Sequence, residues 1–272
     1  ETDTLLKKCM RSLRMKFEED FFNLLEKLKR NEHFAYTRFS DGEICVMQDK
    51  ELKLANDHVV MGEVKYSFGY SSDDHKHYDP EKHGFLKDIL IEAYKYKKQN
   101  YFVGGICKDC TCASKEFAPW MHDLYGEIDD KLTSANLLVN SNYPLFVGHF
   151  IPELKKKKVV FICSENADLS TGDFNIVKDF RVGKNCIVND HHLTVDIKKW
   201  IGDNNIEDHV FLFSASSLSE VLIYELFKHN DKNTYIDVGT TLHPYLGLTI
   251  ERDYLKAYHN NFPHPDLFKS CV

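Results

Sequence analysis

The residues best suited to chemistry fall in three short segments. In Arg38-Phe39-Ser40-Asp41-Gly42-Glu43, two carboxylates stand two positions apart around a glycine that permits a tight backbone. Carboxylates held that close repel unless a cation sits between them. A hard cation such as Mn²⁺ or Mg²⁺ takes oxygen ligands and can bridge a diphosphate, and Arg38 could balance phosphate charge. A plainer reading competes. Ser40-x-x-Glu43 is also a capping box, with the Glu43 carboxylate reaching back to the Ser40 N–H. Spacing alone favours the cap.

The second segment is Phe213-Ser214-Ala215-Ser216-Ser217-Leu218-Ser219, small hydroxyl residues between a buried strand and a helix. Backbone N–H groups at such a helix start bind phosphate, although an ordinary Ser N-cap accounts for the pattern as well. The third is Tyr235-Ile236-Asp237-Val238-Gly239-Thr240-Thr241-Leu242-His243-Pro244, an acid at a strand end followed by glycine and a polar loop. Asp237 could bind a sugar or ribose hydroxyl or accept a proton, or it could satisfy loop amides. His243 could be a base, a pyrophosphate contact or a surface residue.

Other features carry less. Cys107-x-x-Cys110-x-Cys112 could hold zinc but has no obvious fourth ligand. It could also be a redox pair, and incidental thiols are the preferred reading. His75-Lys76-His77 and His191-His192 read as solvated loops. Lys155 to Lys158 reads as a solvated turn, with an anionic membrane surface as the alternative. Trp120 and Trp200 read as core rather than as sugar platforms.

The elements that must position these residues are legible as apolar runs. Residues 4–30 place Leu5, Met10, Leu13, Phe17, Phe21, Leu24, Leu25 and Leu28 at helical spacing. Strands are expected at 33–39, 101–106, 136–139, 158–163, 210–213 and 234–238, with a weaker one at 185–188. Helices are expected at 84–98, 117–132 and 218–229, and a polar surface loop at 57–84. Short apolar strands alternating with helices imply a Rossmann-like, doubly wound α/β fold, with a mostly parallel sheet and helices on both faces. Ligands of such sheets bind at the carboxyl ends of the strands.

Bulk properties agree. The chain has 272 residues, 43% hydrophobic and 28% charged, with a formal charge of −7. That balance gives no support for nucleic-acid binding. No apolar run approaches the ~20 residues of a transmembrane helix. The eight cysteines are not needed as staples in a chain of this size, and several fall in apolar strand patterns. A reducing, cytoplasmic setting is expected. The chain opens on Glu1-Thr2-Asp3 rather than Met, as a piece of a longer protein would, and no secretory leader is expected.

In this order the three segments resemble the GT-D type glycosyltransferases. Arg38-Phe39-Ser40-Asp41-Gly42-Glu43 is similar to that family's Arg-aromatic-x-Asp-Gly-Glu motif. The ending from Phe211 to Ser216, Glu220 to Leu226 and Tyr235 to Gly239 resembles its strand–helix–strand close. Tyr101 to Ile106 and Val159 to Glu165 resemble its middle strands. The block Asn233 to Pro244 is similar to versions in capsule and viral glycan assembly. The chain departs from bacterial members at Ser164-Glu165-Asn166-Ala167-Asp168, where they carry a Gly-rich loop.

The resemblance implies an N-terminal helix over 1–30 packed on a single catalytic domain over 31–272. It implies Asp41 and Glu43 as the site of Mn²⁺ or Mg²⁺ and the donor diphosphate. Arg38, Ser214, Ala215, Ser216, Ser217 and Gly239 would hold the donor, a nucleotide-sugar such as a UDP-sugar. The expected reaction is hexosyl or pentosyl transfer to a hydroxyl of an oligosaccharide acceptor, with Asp237, His243 and Glu165 as candidate general bases. The first helix could serve a homodimer. Rival readings are a Rossmann-type methyltransferase or dehydrogenase, for which Gly-x-Gly-x-x-Gly is missing, a non-catalytic nucleotide- or glycan-binding module, and a metal-dependent phosphohydrolase.

Overall fold

The computed structural model describes residues 18–55, 58–66, 76–106 and 117–260. In chain order the first half runs α1 (residues 18–29), β1 (Ala35–Arg38), α2 (Asp41–Met47), β2 (Leu52–Ala55), β3 (His58–Met61), β4 (Val64–Tyr66), β5 (Lys76–Tyr78), α3 (Pro80–Lys95), β6 (Tyr101–Gly105), α4 (Phe117–Tyr125) and β7 (Leu132–Ser134). The second half runs α5 (Tyr143–Leu145), a π-turn at Phe146–Phe150, α6 (Ile151–Leu154), β8 (Val159–Ser164), β9 (Ile176–Val182), α7 (Cys186–Asn189), α8 (Leu193–Asn204), β10 (Val210–Phe213), α9 (Leu218–His229), β11 (Thr234–Asp237) and α10 (Asp253–His259).

Seven strands make one sheet in the order β7-β6-β1-β11-β10-β8-β9, and every pairing is parallel. The inner strands are buried along nearly their whole length, which is why they read as unbroken apolar runs. One face is covered by Ile44 of α2, Leu90 of α3, Met121 of α4, Ile197 of α8 and Leu222 of α9. The other is covered by α1, the π-turn, α6 and α10 through Phe21, Phe146, Leu154 and Leu255. The fold is thus the doubly wound α/β class expected. On α1, Phe21, Leu24, Leu25 and Leu28 are buried at helical spacing, so this helix packs on the core; its expected earlier turns lie outside the described residues. No described helix is long and apolar enough to cross a membrane.

Five expectations need correction. The strand expected at 136–139 is a run of turns, and the edge strand β7 lies just before it at Leu132–Ser134. Leu137, Leu138 and Val139 are nonetheless buried, and a short apolar run does not distinguish a strand from a buried turn. The strand expected at 185–188 is the short helix α7, and the outer strand is β9. As an edge strand β9 exposes Val177 and Lys178, so it has no apolar run to read. The surface loop expected at 57–84 instead contains most of a second, antiparallel sheet in the order β4-β3-β2-β5, and the start of α3. Its strands are three or four residues long, too short to show alternation. Finally, α3 starts earlier than expected, at Pro80 behind the Asp79 cap that accepts from the Glu81 N–H at 3.0 Å. α4 stops earlier, at Tyr125, before Gly126 with φ of 79°.

Gly104 marks the tightest crossing in the sheet. A Cβ there would lie 2.8 Å from the Thr37 carbonyl oxygen, 3.0 Å from that of Ser134 and 3.1 Å from the Ala135 Cα. These are backbone atoms and cannot swing away. Gly104→Ala is expected to destabilise the protein by about 1–3 kcal/mol through overpacking, read as a lowered urea midpoint. Gly148→Ala, where a Cβ meets nothing within 4 Å, is expected to leave the midpoint unchanged or raise it slightly. Equal midpoints in the two variants would refute this account of the crossing.

Candidate functional site

The chain leaves β1 into α2 on one face of the sheet and leaves β11 towards α10 on the other. Adjacent parallel strands whose connections part in this way open a crevice at their carboxyl ends. α9, entering from β10, lies over β1 and β11 with its first turn at the same edge. Three buried acids and two cations meet there.

Arg38 is the last residue of β1. Its Nε donates to the Ala135 carbonyl oxygen at 2.8 Å, and Nη1 lies 3.8 Å from Asp237 Oδ2. Asp237 closes β11 and is 5% exposed. Its Oδ1 accepts the Gly239 N–H at 2.8 Å. Burial pushes the Asp237 carboxyl above the usual carboxylate range, while Arg38 beside it and the Gly239 N–H pull it back. Gly239 has φ of 50°, and any Cβ there would collide with the Arg38 guanidinium. Glycine is therefore required twice at this position, for its backbone and for the room it leaves.

Glu43, 6% exposed, is the third residue of α2. Its Oε2 accepts the Ser40 N–H and the Ser40 hydroxyl, both at 3.0 Å. This is the capping box foreseen in the sequence. Its Oε1 accepts a short hydrogen bond from the Ser217 hydroxyl and lies 3.9 Å from Lys76 Nζ. Burial alone would raise the Glu43 carboxyl, but the Lys76 charge, the Ser217 hydroxyl and the Ser40 amide together hold it below its ordinary value. Lys76 reaches the crevice from β5 and also donates to Ser217 Oγ at 3.1 Å. The strand is pinned by Asn185, which accepts the His77 N–H at 2.9 Å and donates to the His77 carbonyl at 3.2 Å.

Glu220 on the first turn of α9 is 1% exposed. Its Oε2 is enclosed without a hydrogen-bond partner. Burial, then Asp237 and Glu43, push its carboxyl well above the usual range, which favours its neutral form.

Of the residues singled out in the sequence, the structure brings together Arg38, Glu43, Ser217, Asp237 and Gly239. Ser214 and Ala215 are adjacent, but their N–H groups are already taken by the Ile162 carbonyl at 2.8 Å and Ser219 Oγ at 3.2 Å. Ser216, with φ of 51°, and Ser217 lead into α9. Asp41 is exposed, with Oδ1 accepting the Gly42 N–H at 3.0 Å. Glu165 is exposed at the end of β8, two strands from Asp237 across the sheet, roughly 10 Å by strand spacing. His243 is half-exposed beyond β11, with Nδ1 3.4 Å from the Thr249 carbonyl oxygen.

As donors to a hard cation, Asp41 fits, with an oxygen turned to solvent. Glu43 does not fit as placed, because both of its oxygens are engaged by the protein. Among the described residues no group of three His, Cys, Asp or Glu side chains converges as a metal cage. The cysteines at 107, 110 and 112, and His75, lie outside the described residues. Cys45 and Cys163 are buried thiols, and Cys186 is buried with its Sγ donating to the Ala215 carbonyl oxygen at 3.1 Å. Trp200 packs edge-on to Phe180 and Phe211 in the core.

Sequence reading missed Lys76 and Glu220. For Lys76 there was no signal, since its strand reads as a polar loop. For Glu220 there was one: residues 218–227 are apolar nearly all round, and a charged residue on such a helix is buried.

The architecture is similar to solved structures of a domain of unknown function numbered 1792. One, described as a highly conserved domain with a distinct glycosyltransferase fold, is 13% identical with a TM-score of 0.52, over 86% of this chain and 83% of that one. Another, described as a new glycosyltransferase from Streptococcus sanguinis, is 13% identical with a TM-score of 0.52, over 85% of each chain. At such identity the likeness is one of fold. No protein-family model and no curated protein sequence matches the chain.

Because Glu43 is held below its ordinary value of 4.5, its contacts stabilise the fold fully above that pH. They are lost as pH falls through the lowered value. Glu43→Ala is expected to cost about 3–5 kcal/mol near neutrality, since it breaks a buried charge pair with Lys76 and leaves the Ser217 and Ser40 donors unmet. The gap between parent and variant should narrow in acid. Urea titrations from pH 7 downward check this, and a gap that stays constant into strong acid would contradict it.

Proposed function

We propose that this chain is a glycosyltransferase that takes a hexosyl or pentosyl group from a nucleotide-diphosphate sugar and passes it to a hydroxyl of a glycan acceptor. The supporting observation is the crevice itself. Arg38 and Lys76 flank the first turns of two helices at the carboxyl edge of a parallel sheet, on a fold similar to that of proteins described as glycosyltransferases.

In this proposal the donor diphosphate lies across the ends of β1, β10 and β11. Arg38 and Lys76 supply positive charge, and the N–H groups of Ser216 and Ser217 add helix-start dipoles. Among the described residues Glu43 and Asp237 already engage Lys76 and Arg38, so a bound diphosphate would bring further negative charge for a cation to meet. A divalent cation, Mn²⁺ or Mg²⁺, held by the open carboxylate of Asp41, would supply Lewis-acid neutralisation of the leaving diphosphate. Glu43 acts from inside, keeping Lys76 and Ser217 in place. Asp237 spends its oxygens on Gly239 and Arg38, so the base for an incoming hydroxyl is assigned to a residue on the rim, Glu165 or His243.

A thermal-shift screen of UDP-, GDP-, TDP- and CMP-sugars, each with Mn²⁺ and with EDTA, tests the reading. A ligand at a hundred times its Kd adds about 2.7 kcal/mol, a rise of roughly 5–10 °C for a chain of this size. One nucleotide family should give such a shift with Mn²⁺. Arg38→Ala and Lys76→Ala should each remove most of it. A shift with S-adenosylmethionine or NAD(P) and none with sugar nucleotides would sink the proposal. So would release of free phosphate from a nucleotide in place of intact nucleoside diphosphate.

A further inference from the structure

Lys76 enters the crevice from a strand with little support of its own. β5 is three residues long and lies at the edge of the small sheet, paired with β2 alone, Leu54 opposite Lys76 and Leu52 opposite Tyr78. Strand alternation turns Lys76 and Tyr78 to one face and His77 to the other. Tyr78 is buried and donates its hydroxyl to Asp49 Oδ1 at 3.1 Å, whereas His77 is exposed. The open edge of such a strand leaves its backbone groups to water. Here the side chain of Asn185 takes them, accepting the His77 N–H at 2.9 Å and donating to the His77 carbonyl at 3.2 Å. One amide does for a single residue what a further strand would do.

Asn185 is itself anchored. It precedes α7 with φ of 52°, a conformation that asparagine accepts more readily than most residues. Its neighbour Cys186 is buried and donates Sγ–H to the Ala215 carbonyl oxygen at 3.1 Å. Ala215 belongs to the segment that leads to Ser217, and Ser217 Oγ accepts from Lys76 Nζ at 3.1 Å. The contacts close a ring: Lys76 to Ser217, back along the chain to Ala215, across to Cys186 and Asn185, and from there to His77 beside Lys76. On its other side the ammonium passes over Gly42, where a Cβ would lie 3.4 Å from Nζ.

We propose that Asn185 is a positioning residue of the donor site: its amide fixes β5, so that the Lys76 ammonium stands between the first turns of α2 and α9, where it faces the donor diphosphate. Lysine carries its charge on a flexible stem. A loose strand beneath it would add its own freedom to that of the stem, all of it lost when phosphate binds. Asn185 removes the strand's share of that cost before the ligand arrives. This inference rests on the reading of Lys76 as a diphosphate contact.

Glycine at this position keeps the left-handed backbone and removes the amide. Methionine in place of Lys76 keeps an unbranched stem and removes the charge. Binding of inorganic pyrophosphate, and of UDP with Mn²⁺, would be measured by calorimetry for the parent, N185G, K76M and the double variant. N185G is expected to bind about three- to tenfold more weakly than the parent, as for loss of ordinary hydrogen bonds. In the K76M background the same change is expected to alter binding by less than about twofold, because the amide acts through Lys76. Nitrogen-edited proton spectra of the lysine ammonium groups are expected to show a signal in the parent that is missing from K76M and broadened or lost in N185G. N185G binding like the parent, an equal loss in both backgrounds, or a Lys76 signal unchanged in N185G would each overturn the proposal. If K76M does not fold, the affinity of N185G and its ammonium signals, set against the parent, still decide it. If neither probe binds the parent, the transferase reading fails, and the Lys76 signal alone tells whether Asn185 holds the lysine.

Discussion

Arg38 must carry its charge with most of its side chain shielded from water, and much of the crevice follows from that requirement. A buried guanidinium is tolerated only when its donors and its charge are both met. The Ala135 carbonyl meets one donor and Asp237 meets the charge. Space is met by having no side chain at position 239. Asp237 then needs its own support, which comes from the Gly239 amide. The sheet supplies the positions, because the register that pairs Tyr36 of β1 with Ile236 of β11 sets Arg38 and Asp237 at neighbouring strand ends.

The two helices that begin at this edge start alike. Ser40-Asp-Gly-Glu43 and Ser217-Leu-Ser-Glu220 both have the spacing of a capping box, and each glutamate is the third residue of its helix. The first box closes on itself. The second does not: Ser217 gives its hydroxyl to Glu43 across the crevice. One local pattern is therefore satisfied locally in α2 and spent on tertiary contacts in α9. That exchange ties α2, α9 and β5 into one polar cluster, and a helix start that forgoes its own cap is stabilised by the packing around it rather than by its first turn.

The parts legible in the sequence are those where burial is continuous. β1, β6, β8, β10 and β11 are short apolar runs with turn residues behind them, and from their alternation with helices the fold class follows. Arg38, Glu43, Ser217, Asp237 and Gly239 could be found because each sits just past such a run, where parallel sheets place their ligands. Lys76 could not be found in that way. Its place depends on a small sheet inserted between β1 and α3, whose strands are held by one another and by Asn185 rather than by a pattern of their own. The outer strand β9 was lost for a related reason, since only Val182 of its seven residues is fully buried. Glu220 differs again, because a carboxylate inside an apolar helix is visible, but the groups around it are distant in sequence.

The Asp-x-Glu spacing itself takes its meaning from local structure. In an extended or looped backbone, two carboxylates so placed can close on one cation. In a helix, residues two apart stand about 200° round the axis, so one must face out if the other faces in. Asp41 and Glu43 are both in the first turn of α2, and they divide in this way: Asp41 is exposed, and Glu43 is sealed against Ser40, Ser217 and Lys76. The capping box and the proposed cation site are then not rival explanations of one motif. Capping requires the helix, the helix separates the carboxylates, and the separation leaves Glu43 to meet Ser40, Ser217 and Lys76 while Asp41 faces outward, where the proposed cation would meet it.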